Sequence, residues 1–251
     1  MAKPAKFYLS HINKQTGYRA TWDPGKPLKL GQIGKLDDYG VFNVYTSLEG
    51  EGIAVQTAQD GTAGDLDYTS SDSVTISTKL SGSAPVVGSG LSAAQAGFSF
   101  DFKSEKSVVF QASGITTSHI TNLAAIEKAI LEKYRAGNWD KNWLIITELV
   151  TAASATIIIV NSSTAKLDLK AQADISSGTL KLTDASLGLS VAREQGSTLK
   201  YISQSGLTPL YRVMGIVSPL FGKQQLGTRS VVEEGEQLRF SVQEFNEQEI
   251  D

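Results

Sequence analysis

The sequence contains no cysteine, which removes disulfides, thiol nucleophiles, thiolate metal sites and S-acylation at once. It has only two histidines, His11 and His119, which are not at a metal-ligand spacing, and no HExxH pair. No serine sits in a GxSxG elbow, and no GxxxxGK[ST] phosphate loop occurs. Residues 88–93, Gly-Ser-Gly-Leu-Ser-Ala, nominally fit a relaxed dinucleotide fingerprint, but no strand-helix-strand unit follows, and the stretch reads as a loop. With no catalytic constellation, the expectation is a protein that is not an enzyme, with no metal and no cofactor. No stretch approaches the ~20 apolar residues of a membrane helix. The opening MAKPAKFYLSHINK holds no signal-peptide core. A chain of this kind is expected to be made in the cytoplasm and to meet a membrane only as a surface binder or as strands closed into a barrel.

What is present is ordinary in bulk and informative locally. At 251 residues, 41% hydrophobic and with a net charge of −3, the chain has the size for one large domain and lacks the global basic surface of a nucleic-acid binder. The first 36 residues carry Lys3, Lys6, Lys14 and Arg19, then Lys26, Lys29 and Lys35, against Asp23 alone. Such a segment is either a solvated surface or an attractor of acidic lipid headgroups. Residues 223–251 are acidic, with Val231, Val232, Leu238, Phe240, Val242 and Phe245 spaced to dock as a strand or short helix.

Strand signals dominate the middle. Residues 143–160 are rich in β-branched side chains such as Ile145, Ile146, Thr156, Ile157, Ile158 and Ile159, which favour a pleated, half-buried surface. After a polar break at residues 161–164, Lys166, Asp168, Lys170, Gln172 and Asp174 alternate with Leu167, Leu169, Ala171, Ala173 and Ile175. This is the two-residue period of a strand with one wet and one apolar face, and it predicts a β-hairpin over residues 143–175. Residues 180–191, with Leu180, Leu182, Leu187, Leu189 and Val191, read as one more alternating strand. A second hairpin is predicted over residues 74–110, where Val74 and Ile76 mark one arm and Phe98, Phe100 and Phe102 the other, joined by a small-residue segment. Between them, Leu123, Ile126, Ile130 and Tyr134 form a helical stripe over about residues 120–136, with Ser118 or Thr121 as the cap and Gly137 as the stop. Residues 7–13 fit either a strand or a short helix. Glu148, a charge inside an apolar strand, is expected to face outward or to be ion-paired.

Two of these blocks resemble the pore-forming domain of the gasdermin family. The strand Ile145, Ile146, Thr147, Glu148, Leu149, Val150 is similar to one family block, and Ile202, Gly206, Leu210, Tyr211, Arg212, Val213 to the next. Tyr18, Pro24, Pro27, Leu28 and Leu30 fit the family's opening more loosely. The resemblance implies an α+β fold, a twisted, mainly antiparallel sheet with a few packed helices. It also implies pore formation in a cell-death or anti-phage response, by oligomerisation of copies of this chain and insertion of β-hairpins into an acidic lipid membrane. Residues 1–222 would then be the pore-forming domain and residues 223–251 an inhibitory tail.

On that reading Val74, Ile76, Phe98, Phe100, Phe102, Ile157, Ile159, Leu167, Leu169 and Leu189 turn to lipid, and Lys166, Asp168, Lys170 and Asp174 to the lumen. Lys3, Lys6, Lys14 and Arg19 contact acidic headgroups. An activating protease would cut near Lys223 or Arg229, as in bacterial relatives; fungal members without an inhibitory domain respond instead to a variant partner protein. The absence of the lipidated cysteine found in some bacterial gasdermins is a departure from that branch. The rival expectation from the residues alone is a non-catalytic β-rich module that binds lipid or protein with its hairpins folded.

Overall fold

The structure, a computed structural model, describes residues 4–22, 26–70, 72–162, 164–217, 239–243 and 245. Its elements run α1 (Pro4–Thr16), β1 (Arg19–Ala20), β2 (Gln32–Leu36), β3 (Phe42–Ser47), β4 (Thr57–Gln59), β5 (Gly64–Thr69), β6 (Val74–Lys79), β7 (Gly97–Phe102), β8 (Val108–Ile120), α2 (Leu123–Arg135), β9 (Leu144–Val160), β10 (Lys166–Lys170), β11 (Ser190–Gln195), β12 (Thr198–Val217) and β13 (Arg239–Val242). The fold is α+β, and every strand pairing described is antiparallel.

The β-branched run becomes β9, the spine of the larger sheet. β12 lies along one edge of it from Leu144 to Val160. β8 lies along the other edge, with β2 continuing that edge at Leu144 and Ile145. Ile157, Ile158, Ile159 and Val160 are all buried, because this sheet is covered on both sides. Ile157 and Ile159 pack with Tyr8, Leu9 and Ile12 of α1, whereas Ile158 and Val160 pack with Phe98, Phe100 and Leu167 of a smaller sheet. A strand covered on both faces loses the alternation that a half-solvated strand shows. α2 closes the far end, burying Ile126 and Ile130 with Ile33, Ile145, Ile216 and Phe240.

The smaller sheet has the order β11-β10-β7-β6 and corrects two sequence expectations. Residues 143–175 do not form a hairpin in this fold: β10 pairs with β7 and β11, and β9 with β8 and β12. The chain crosses between the sheets after Val160 because the apolar sets of β9 and β10 face each other across the sandwich, so they bury more by stacking than by pairing. Residues 180–191 are not one strand either. Asp184 accepts from the Ser186 amide and starts a 3₁₀ turn at Ala185–Leu187; Gly188 ends it at φ +53, and only from Ser190 does β11 begin. Leu180, Leu182 and Leu187 are nevertheless buried: the apolar pattern marks what the segment covers, not its conformation. The strand begun at Lys166 also ends early, at Lys170.

Residues 74–102 do form the predicted hairpin, β6 with β7, while β8 leaves for the larger sheet. Residues 7–13 lie in α1. α2 matches its predicted stripe, but its cap position is Asn122, whose side chain bonds Gln56 N and Ala54 O rather than the helix; Ser118 is part of β8. From the acidic tail, β13 pairs with β12 and Phe240 is buried, while Val242 is half exposed.

Candidate functional site

The two blocks that carry the family resemblance are neighbours in register. Leu210 pairs with Val150, Tyr211 with Leu149, Arg212 with Glu148 and Val213 with Ile146. Glu148 is ion-paired as expected: Arg212 Nη1 lies 2.8 Å from its Oε2, and the Tyr18 hydroxyl donates to its Oε1 at 3.0 Å. The Arg212 guanidinium also sits 4.1 Å from the centre of the Tyr18 ring, a cation–π geometry. Partial burial, and then the Glu148 carboxylate, hold the Tyr18 phenol above its usual range. This cluster ties the turn after α1 to β9 and β12.

The predicted insertion residues lie in the interior. Val74, Phe98, Phe100, Phe102, Leu167 and Leu169 are buried in one cluster, with Ile76 and Leu189 packed partly buried against it. Phe100 and Phe102 stack at 5.9 Å with a 4° tilt between planes. Ile157 and Ile159 belong instead to the cluster under α1. β6 is the edge strand of the smaller sheet, and a cleft of about 460 Å³ separates Ile76 and Phe98 from Leu66 and Ala112 of the larger sheet. The cleft thus opens beside the β6–β7 hairpin.

Charge placement departs from alternation at two points. Asp168, expected on a wet face, is buried at 3% exposure. It accepts from the Gly90 amide at 2.7 Å and from the Ser89 hydroxyl at 3.2 Å. Lys79, at the end of β6, is 1% exposed, and its ammonium donates to the carbonyls of Leu80, Ala93 and Gln95 at 3.2, 3.0 and 2.8 Å. Both charges hold the connection between β6 and β7 against the sheet. Neither burial was foreseeable from period alone; the available signal was the run of small residues at 81–96, which lets backbone approach a charge closely. Lys166 does face outward, 3.7 Å from Asp101, and Lys170 is partly exposed.

Of the basic residues assigned to lipid, Lys14 is exposed and Lys6 partly so. Arg19 corrects the expectation: it is 6% exposed, donates to the Gln243 carbonyl at 3.4 Å and lies 5.2 Å from the Phe245 ring. It is buried because the segment after β13 passes over it. Lys3, Lys223 and Arg229 lie outside the described residues. On α1, His11 stacks on Phe7 and meets the Tyr68 edge, each at 5.0 Å between ring centres. Burial, and then the charge of Lys14, lower its pKa.

Among the described residues no group of three or more histidine, aspartate or glutamate side chains is placed to hold a metal ion. Among the same residues no helix is long and apolar enough to cross a membrane, which leaves crossing by strands untouched. No family model and no curated protein matches the chain. Among solved structures it is similar to a chain of the cryo-EM structure of the gasdermin A3 membrane pore, at 8% identity and a TM-score of 0.36, with 95% of this chain and 94% of that chain covered. At that TM-score the overlap carries no weight for fold or function.

Proposed function

We propose that this protein permeabilises membranes by assembling copies of itself and inserting amphipathic β-hairpins. The observation that carries the reading is the β6–β7 hairpin. It lies at an open edge of the smaller sheet, keeps Phe98, Phe100 and Phe102 on one face, and is backed by a cleft on the side of the larger sheet. The registered pairing of the two gasdermin-like blocks supports it independently, since the residues carrying the resemblance form one structural unit. In the inserted state Val74, Ile76, Phe98, Phe100 and Phe102 exchange a protein core for lipid, as membrane barrels require of one strand face. Ile157, Ile159, Leu167, Leu169 and Leu189 do so in a second unit assembled from β9, β10 and the segment leading into β11. Neighbouring copies satisfy the strand edges, which lipid does not tolerate open.

The basic start of the chain, with Lys6 and Lys14 on α1, supports an approach to anionic headgroups. The acidic tail of residues 223–251, which places β13 on β12 and the Phe245 ring over Arg19, is the restraining element. Its removal by a protease, or displacement by a partner protein, would release the domain of residues 1–222. Before activation the protein is cytoplasmic; afterwards it is at the cell membrane, with cell death or antiviral defence as the outcome.

The test is release of an encapsulated dye from vesicles containing anionic phospholipid, with the full chain compared to a version ending at Gly222. Leakage that is faster for the shorter version supports both the pore and the restraint. Both versions binding the vesicles while retaining the dye would establish the β-rich binding module instead.

A further inference from the structure

We infer that the buried charges of Lys79 and Asp168 fasten residues 80–96, the connection of the β6–β7 hairpin, against the smaller sheet and so oppose the hairpin's extension; the inference rests on the pore reading. The strands as they stand are short. β6 and β7 end at Lys79 and Gly97, below the ~9–11 residues a strand needs to cross a bilayer.

Their register says how they would lengthen. Val74 pairs with Phe102, Ile76 with Phe100, Thr78 with Phe98 and Lys79 with Gly97. Continued without a shift, it sets Leu80 opposite Ala96, Gly82 opposite Ala94, Ala84 opposite Ser92 and Val86 opposite Gly90. Gly88 falls at the tip, and it already holds φ +79, the left-handed conformation that tight hairpin turns demand and glycine supplies. The two arms then run over residues 74–86 and 90–102.

The connection carries part of the alternation this extension needs. One face collects Val74, Ile76, Leu80, Ala84 and Val86 with Ala94, Ala96 and the three phenylalanines; the other collects Thr75, Ser77, Lys79, Ser81 and Ser83 with Gln95, Ser99 and Asp101. Thr78 and Ser92 depart from the first face, and Pro85, Val87, Leu91 and Ala93 from the second. Pro85 and Leu91 would face each other next to the tip, where a missing ladder donor disturbs least.

The fastenings sit at both ends of the connection. At its base the Lys79 ammonium is held by the carbonyls of Leu80, Ala93 and Gln95. At its tip the Asp168 carboxylate holds Ser89 and Gly90, Ser99 donates to the Ser89 hydroxyl at 2.7 Å, and Arg193 donates to the Gly88 carbonyl at 3.1 Å. Removing the segment strips a buried ammonium and a buried carboxylate of these partners, which opposes opening until both reach water. Extension provides that: Lys79 moves to the polar face of the arm, and Asp168 is uncovered. The same charges thus oppose partial opening and tolerate the fully extended state.

The absence of cysteine makes a reversible test direct. The Ser89 and Ser99 hydroxyl oxygens are 2.7 Å apart, so a Ser89→Cys, Ser99→Cys variant of the full chain has close sulfur positions for a single disulfide. In vesicles of phosphatidylcholine with phosphatidylglycerol, with the variant used both as the full chain and ended at Gly222, the oxidised form should leak at least about tenfold more slowly than the reduced one, with the rate restored by reductant. Equal and measurable leakage by the oxidised and reduced forms overturns the inference while leaving the pore reading intact. Hydrogen exchange in the absence of membrane supplies the second arm. Lys79→Met and the milder Ser89→Ala should speed exchange of amides in residues 80–96 by about tenfold, the effect of losing a hydrogen bond to a charged group, with α2 unchanged. Unaltered exchange in both variants overturns the inference even where vesicles leak. Absence of leakage from both the full chain and the version ending at Gly222 sinks the pore reading, and with it the purpose of the fastening, even where exchange responds.

Discussion

Arg212 and Glu148 face each other across β12 and β9 at 2.8 Å, each in one of the two blocks that resemble gasdermins. The carboxylate also takes the Tyr18 hydroxyl, and the guanidinium covers the Tyr18 ring. Because the pair is partly solvated, its worth is modest. Glu148→Ala should lower unfolding stability by about 1 kcal/mol, read from urea melts. Arg212→Lys should fail to recover wild-type stability, since an ammonium lacks the planar fork and the ring stacking. A melt unchanged in both variants would remove this cluster from the account of how α1 is held.

His11 gives a pH dependence whose sign follows from its burial between Phe7 and Tyr68. Its folded pKa lies below the unfolded value of about 6.5, so the folded state prefers neutral imidazole. That contribution is complete above pH ~6.5 and is lost as pH falls through the folded pKa. Stability of the wild-type chain should therefore decline below pH ~6.5 more steeply than that of His11→Phe. Lys14 is the charge facing His11 that adds to the lowering, and Lys14→Ala should move the decline to lower stability loss. Asp140, held low by Lys35, and Glu194, held low by Lys200, add a separate loss only below pH ~4.

Ala93 and Ala94 are adjacent and both exposed in this fold, so arginine at either should leave the thermal midpoint nearly unchanged. Their fates separate if the hairpin extends in its present register. Ala93→Arg reaches the polar face and should keep leakage; Ala94→Arg meets lipid, where a charge near the bilayer middle costs about 2–4 kcal/mol, and should suppress it by at least about tenfold. A charge at Ile158 could not make this distinction, since the residue is fully buried between the sheets and the variant would fail to fold.

Lys6 and Lys14 should each contribute about 1 kcal/mol to binding anionic vesicles. Replacing either by alanine is expected to weaken co-sedimentation about fivefold at physiological salt, with the effect shrinking as salt rises. Arg19→Ala should instead lower stability, because its side chain is buried against the segment after β13.

The parts legible in the sequence were those decided by local period. The α2 stripe, the β6 and β7 alternation and the strand-forming run of β9 all come from residues whose neighbours in sequence share their surface. What escaped was decided by layers. The β9–β10 hairpin looked continuous because Leu167 and Leu169 and the isoleucines of β9 are apolar, and period cannot say whether two apolar strands pair or stack. Leu180 to Leu189 alternate and are mostly buried, yet a turn at Asp184 satisfies the backbone differently. Asp168 reads as wet because a strand's polar phase is ordinarily solvated; here the connection between β6 and β7 covers it. Glu148 stands out in the sequence as a charge within an apolar strand, but its partner Arg212 lies 64 residues away, beyond any local pattern.

The central claim is that copies of this chain open a conducting path through a bilayer. Current across a planar membrane of phosphatidylcholine and phosphatidylglycerol, recorded after adding the chain ending at Gly222, tests it most directly. Discrete upward conductance steps that persist once formed, and that are lost in Ala94→Arg but kept in Ala93→Arg, are the predicted result. A membrane that binds the protein, shown by fluorescence of the labelled chain, yet carries no current above baseline would contradict it.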